Sequence, residues 1–246
     1  MEGEGVAFVA PDMAKYCDGS DQHPSIDSGT QQVATKLLVS NAIAGSVIGK
    51  AGANIEQLQR SSGARIQLSR AGEFYPGTSD RVLLLSGCLH SVLTAIFLIL
   101  EKVSRDAASS QSRNGRPARE DEREDEVKLA LSRRLCGLLI GHKGQTVRDF
   151  ISDSGATIRV QSLAELTPSD PERTIAVTGA RDQVLRAVAL VLNTLSMHEG
   201  FASYMETTLQ LATNQGVVLP LRSSTTKSVL TQSIDILGCT SPNNHV

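Results

Sequence analysis

The 246-residue chain has no tryptophan, only five phenylalanines and three tyrosines. That scarcity excludes a recognition sheet that stacks nucleobases on rows of aromatic side chains. Cysteine is equally sparse: Cys17, Cys88, Cys136 and Cys239 lie far apart with no CxxC pair. Neither a zinc site nor a disulfide framework is signalled, and the four read as reduced thiols. No apolar run reaches the roughly 18 residues of a membrane span; the longest, Ser91 to Leu100, has ten residues and includes Thr94. The N-terminal MEGEGVAFVA is acidic where a secretory signal is basic. A soluble intracellular protein with no membrane partner is the expectation. Hydrolytic and nucleotide-binding signatures are missing too: there is no GxxxxGK[ST], HExxH or GxSxG, and the five histidines are scattered. The reading is therefore of a non-enzyme without metal or other cofactor.

The chain does have enough hydrophobic residues, 40%, to build a core. Its net charge of -2 hides an uneven distribution. Lys and Arg against Asp and Glu number 1 and 6 over residues 1–34, 7 and 4 over 35–103, 5 and 7 over 104–126, 9 and 6 over 127–197, and 2 and 3 over 198–246. Two basic blocks alternate with three acidic flanks, and the blocks are where an anionic ligand is expected.

Those blocks are copies of each other. A shift of 92 residues lays Thr35–Val103 over Val127–Leu195 without a gap, with about twenty of 69 positions identical. Gly45, Ile48, Gly49 and Gly52 fall on Gly137, Ile140, Gly141 and Gly144; Gly63-Ala64 falls on Gly155-Ala156, Arg81 on Arg173 and Gly87 on Gly179. In each copy a short strand (from Lys36 or Lys128) leads to a short helix ending at a G-x-x-G, Gly49-Lys50-Ala51-Gly52 or Gly141-His142-Lys143-Gly144. A second helix runs to Gly63 or Gly155, which ends it as a C-terminal cap. The strands Arg65–Leu68 and Thr157–Val160 follow, then a polar loop, a third strand, and a long helix with one apolar face. The order β-α-α-β-β-α predicts an α+β unit, a three-stranded antiparallel sheet with three helices on one face, present twice. Domains are expected at 35–103 and 127–197, with an acidic disordered tail at 1–34, a charged linker at 104–126 and a C-terminal tail at 198–246. In that tail Glu206–Leu211 reads as the first strand of a truncated third unit.

Two glycines three apart at a helix start leave the backbone bare. A phosphodiester can then approach the free N–H groups and the positive end of the helix dipole. Lys50, His142 and Lys143 add side-chain charge at the same place.

With I-G-x-x-G between two helices and S-G-A closing the second, both copies resemble eukaryotic type I KH domains. The run Ser62-Gly63-Ala64-Arg65-Ile66-Gln67-Leu68-Ser69 and the segment Glu73 to Val82 are similar to the Nova and poly(C)-binding group, its plant Nova-like members included. The resemblance implies that Gly49, Lys50, Ala51, Gly52 and Gly141, His142, Lys143, Gly144 hold the backbone of about four unpaired nucleotides. It places the bases over a groove lined by Ala44, Gly45, Val47, Ile48, Ile55, Leu58 and Ile66 in the first copy, and by Cys136, Gly137, Leu139, Ile140, Val147 and Ile158 in the second. Arg65 and Arg81 match the group's cytosine-reading arginines, whose donor forks suit the O2 and N3 acceptors of cytosine. In the second copy Arg173 matches Arg81, but Thr157 replaces Arg65 and Arg159 lies two residues further along. The implied function is sequence-selective binding of single-stranded RNA, mRNA or pre-mRNA, in splicing control or other post-transcriptional mRNA processing, in the nucleus, the cytoplasm or both. The implied partners are single-stranded RNA, single-stranded DNA of like chemistry, a second copy of the chain, and other RNA-binding proteins. The competing reading is a protein-interaction scaffold that uses KH folds without RNA. A flexible linker of about 23 residues spans roughly 25 to 29 Å and would let both domains reach nearby motifs on one RNA.

Overall fold

The protein is described here by a computed structural model covering residues 31–111, 124–166 and 170–214. The expected acidic tail through residue 30, residues 112–123 of the expected charged linker, residues 167–169 and residues 215–246 of the expected C-terminal tail lie outside the described residues.

The first half runs β1 (Gln32–Val39), α1 (Asn41–Ile48), a 3₁₀ turn at Lys50–Gly52, α2 (Ala53–Ser62), β2 (Arg65–Leu68), β3 (Arg81–Cys88) and α3 (Leu89–Gln111). The second runs β4 (Asp125–Ser132), α4 (Arg133–Ile140), a 3₁₀ turn at His142–Gly144, α5 (Gln145–Ser154), β5 (Thr157–Val160), β6 (Glu172–Gly179) and α6 (Arg181–Ser196), followed by α7 (Glu199–Asn214). This is the expected order in both copies. Strand alternation divides each sheet into two faces. Leu37, Ile66, Leu83 and Leu85, like Leu129, Ile158, Ile175 and Val177, point into the core under the helices.

Local chemistry explains why the repeat keeps its small polar residues. Ser40 and Ser132 accept hydrogen bonds from the amides of Ile43 and Leu135, each at 3.3 Å, and so cap α1 and α4. Ser62 Oγ donates to Leu58 O at 2.7 Å and accepts from the Ala64 amide at 3.2 Å. Ser154 does the same with Phe150 O and the Ala156 amide, at 2.6 and 3.2 Å. The intervening Gly63 and Gly155 both have φ of 72°, the left-handed cap that a glycine adopts without steric cost. The S-G-A motif is thus a helix stop that aims the chain into β2 or β5.

The two halves are not beads on a flexible tether. β1 pairs antiparallel with β4, giving one six-stranded sheet in the order β2-β3-β1-β4-β6-β5. Leu37 lies opposite Leu129, its own equivalent in the other copy, while Lys36 faces Ala130 and Leu38 faces Lys128. The register is therefore symmetric under the 92-residue shift, and a pseudo-two-fold axis passes through the Leu37–Leu129 pair. Because both leucines point to the helical face, the axis stands perpendicular to the sheet, and α3 packs on α6 beside it. The third helices of the two halves pack against each other within one chain.

Two further expectations are corrected. Residues 104–111, assigned to the linker, continue α3; Asp106 on this extension accepts from Lys102 at 2.8 Å and from the Ser46 hydroxyl on α1, and these hydrogen bonds hold its carboxyl below the usual carboxylate range. Residues 206–211, expected as a strand, lie in helix α7. The apolar pattern there belongs to a helix that packs back on β1. Phe201 and Tyr204 are buried, with ring centroids 5.7 Å apart. The Tyr204 hydroxyl donates to Ala130 O at 2.7 Å, and Lys36 Nζ lies 5.6 Å from its ring centroid. Burying each aromatic contributes about 2 kcal/mol, so α7 fastens the second half to the first.

Candidate nucleic-acid interface

Each G-x-x-G turn stands at the surface between two helices. Lys50, Ala51, His142 and Lys143 are all exposed. Gly49 and Gly141 share φ of 70° with ψ near -172°, and the next glycines, Gly52 and Gly144, have φ of 83° and 77°. The third residue of each turn, Ala51 or Lys143, also takes a left-handed conformation, with φ of 52° and 51°. Such a backbone is costly for a side chain in isolation and persists where its surroundings hold it. In the first copy Asn54 supplies that hold, its Nδ2 donating to Ser46 O at 2.8 Å across the turn. A Cβ on Gly49 would come 2.8 Å from Asn54 Cβ, and one on Gly141 would come 2.7 Å from Thr146 Cβ. Asn54 and Thr146, which the sequence reading passed over, therefore define why glycine opens each turn.

The helix starts differ in a way that bears on ligand chemistry. α1 and α4 are capped by Ser40 and Ser132, whereas no side chain caps α2 or α5. The first amides of a helix lack intrahelical partners. In α2 and α5 the first of these, on Ala53 and Gln145, donates to Lys50 O or His142 O within the turn; the amides that follow have no side-chain cap and lie behind bare glycine with cationic side chains near, an arrangement that favours an anion.

The expected groove residues divide into two sets. Ala44, Val47, Ile55, Leu58 and Ile66 in the first half, and Cys136, Leu139 and Ile158 in the second, are buried core. Domains this small need nearly every apolar side chain inside, and these residues serve that core. Gly45 and Gly137 are exposed, and Ile48, Ile140 and Val147 are half-buried beside their turns; these five are the expected lining residues open to solvent. Burial pushes the Cys136 thiol up to about 11, and its Sγ faces Leu131 O at 3.8 Å.

The arginines separate similarly. Arg65 and Arg159 are exposed on β2 and β5, and Thr157 is exposed at the position equivalent to Arg65. Arg81 and Arg173 are only 7% exposed. The Arg81 guanidinium donates to Ser69 O, and Arg173 donates to Gln161 O, with Nε at 2.9 Å. Each ties the first strand of its loop to the next, and burial draws the Arg81 pKa below its ordinary value, partly offset by Glu73. They brace the loops that follow β2 and β5.

A cleft of about 620 Å³ lies elsewhere, at the seam, lined by Lys36, Gln67, Tyr75, Leu84, Glu172 and Thr174 among others. Neither glycine turn contributes to it. Burial and the neighbouring Glu172 and Asp170 raise the Tyr75 pKa there. Among the described residues no helix is long and apolar enough to cross a membrane, and no cluster of residues could hold a metal.

The KH domain family model matches residues 34–101 and 126–193. The chain is 33% identical over 164 residues to the RNA-binding protein Nova-2 of Homo sapiens, covering 64% of this chain and 33% of that protein. It is 27% identical over 169 residues to the RNA-binding protein Pasilla of Drosophila melanogaster, covering 68% of this chain and 22% of that protein. It thus spans a third or less of the length of either relative. Among solved structures, the first KH type I domain of human vigilin matches at TM-score 0.24 and 15% identity, over 45% of this chain and 94% of that domain. Dim2p from Pyrococcus horikoshii OT3 matches at TM-score 0.24 and 17% identity, over 71% of this chain and 98% of that one. With the family model matched twice, over more than half of its residues, the chain belongs to the KH-domain family and carries two type I KH domains.

Proposed function

We propose that the chain binds single-stranded RNA sequence-selectively through its two KH domains, and that it acts in post-transcriptional control of mRNA such as splicing regulation. The observation that carries this reading is the pair of exposed glycine turns, each preceding an uncapped helix and each bearing cationic side chains, Lys50 in one and His142 with Lys143 in the other. Backbone amides and cations grip phosphates, and the shallow apolar strip of Gly45 with Ile48, or Gly137 with Ile140 and Val147, receives the bases. The names of Nova-2 and Pasilla as RNA-binding proteins support the ligand class.

Base selection in the first domain falls to Arg65, whose fork is free to meet the acceptors of cytosine, with Arg81 holding the loop that follows β2. The second domain offers Arg159 and Thr157, so its preference differs from that of the first.

Fluorescence anisotropy with unstructured pyrimidine RNA at rising salt tests the reading. Binding should weaken with a slope of about -0.7 per phosphate neutralised. Arg65→Ala should lower the preference for cytosine over adenine by about tenfold, equivalent to roughly 1 to 2 kcal/mol. No binding at low salt would refute the proposal; an unchanged preference in the variant would remove Arg65 as its reader.

A further inference from the structure

The seam between the domains constrains how one strand could occupy both sites. Leu37 pairs with its own equivalent Leu129, so the operation relating the two domains is a two-fold rotation about an axis perpendicular to the sheet. Such a rotation reverses every direction lying in the sheet plane. β2 and β5, the strands beside the two grooves, are the outermost of the six strands and run in opposite senses. With strands about 4.8 Å apart, they are separated by about 24 Å. α3 and α6 fill the middle of the helical face, with α1 and α2 packed on α3, and α4 and α5 on α6.

We infer that the two-site ligand is an RNA that turns back on itself: two short unpaired segments, antiparallel to each other, joined by a spacer that crosses the width of the sheet. This rests on the proposal that each glycine turn grips RNA. An extended, uninterrupted single strand cannot thread both grooves, because it would leave the first at one edge and have to enter the second at the opposite edge in the reverse direction. In a two-fold arrangement, the 3′ end of a segment in one groove lies at the same end of the molecule as the 5′ end of the segment in the other. A natural 3′–5′ connection is then the shortest bridge, and either domain can take the upstream segment. A 3′–3′ connection has to run diagonally and requires extra length.

The experiment uses the full chain and two mixed cytidine-uridine tetranucleotides joined by ethylene-glycol spacers of graded length, in natural 3′–5′ or inverted 3′–3′ polarity. Affinity is read by anisotropy at protein concentrations below the dissociation constant, against a single tetranucleotide. The expected result is a gain of about tenfold or more for the natural linkage once the spacer spans the sheet, through effective concentration. Directly abutted segments and the inverted linkage at that same length should show little gain. Equal gains for both polarities, a larger gain for the inverted one, a full gain without spacer, or no gain at any length would overturn the inference. Failure of the single tetranucleotide to bind would instead sink the RNA-binding reading beneath it.

Discussion

Lys36 on β1 pairs with Glu172 at the start of β6, and at the two-fold-related position Lys128 on β4 pairs with Asp80 at 3.2 Å. Both pairs cross the seam, yet their surroundings differ. The side chains of Lys36 and Glu172 are 7% and 14% exposed, and Tyr204 covers the lysine; Lys128 is 38% exposed. Removing one member of a buried pair strands the other charge, which typically costs about 3 to 5 kcal/mol, whereas an exposed pair contributes about 0 to 1.

Lys36→Ala should therefore destabilise the chain by about 3 kcal/mol in urea denaturation, and Lys128→Ala by less than about 1. Equally small losses would contradict a closed seam covered by α7.

At the turns, Gly49→Ala and Gly52→Ala separate two costs. Both glycines have left-handed φ, but only at position 49 would the new methyl strike a neighbour, the Asn54 side chain, while nothing lies within 4 Å of a Cβ at 52. Gly52→Ala should cost about 1 kcal/mol, and Gly49→Ala more, about 2 to 3, since Asn54 must also abandon its bond to Ser46 O. Equal costs in thermal or urea unfolding would show that Asn54 does not brace the turn.

Cys136 tests which groove residues are core. Its folded pKa of about 11 lies above the 9.0 expected of the exposed thiol. The neutral thiol's contribution to stability is complete below pH 9 and is lost as pH rises through 11. Stability should fall across that window, and less steeply in Cys136→Ala. In the native chain at pH 8, Cys136 should resist iodoacetamide and become reactive in urea, as followed by peptide mass spectrometry. Rapid native alkylation would place the thiol in an open groove.

The fold of each half was legible because the physical signals are local and occur twice. Gly63 and Gly155 end helices, Ser62 and Ser154 back them, and alternation in Arg65–Leu68 and Thr157–Val160 marks the outer strands with the bounds observed. The seam was not legible. Pairing of β1 with β4 depends on Leu37 meeting Leu129 over a separation of 92 residues, and no local pattern encodes which strand edge will be covered. The charged run after Val103 concealed a helix continuation because its anchor, Ser46 to Asp106, is tertiary. Glu206–Leu211 looked like a strand because its alternation is short; the signal that settles it is Phe201 and Tyr204, three apart and buried on one helical face. At the site, the exposed turns could be read from glycine spacing. The roles of Arg81 and Arg173 could not, since a loop carbonyl accepts each guanidinium and sequence carries no sign of it.

Carboxylates placed on both turns test whether the turns grip RNA. Ala51 and Lys143 already occupy the left-handed region, which aspartate tolerates better than most residues, and all four positions are exposed. Lys50→Asp, Ala51→Asp, His142→Asp and Lys143→Asp together should leave the circular dichroism spectrum native while reducing affinity for pyrimidine RNA at least about a hundredfold, each turn losing cations and gaining repulsion at a phosphate. Native-like spectra with undiminished RNA affinity would contradict that grip.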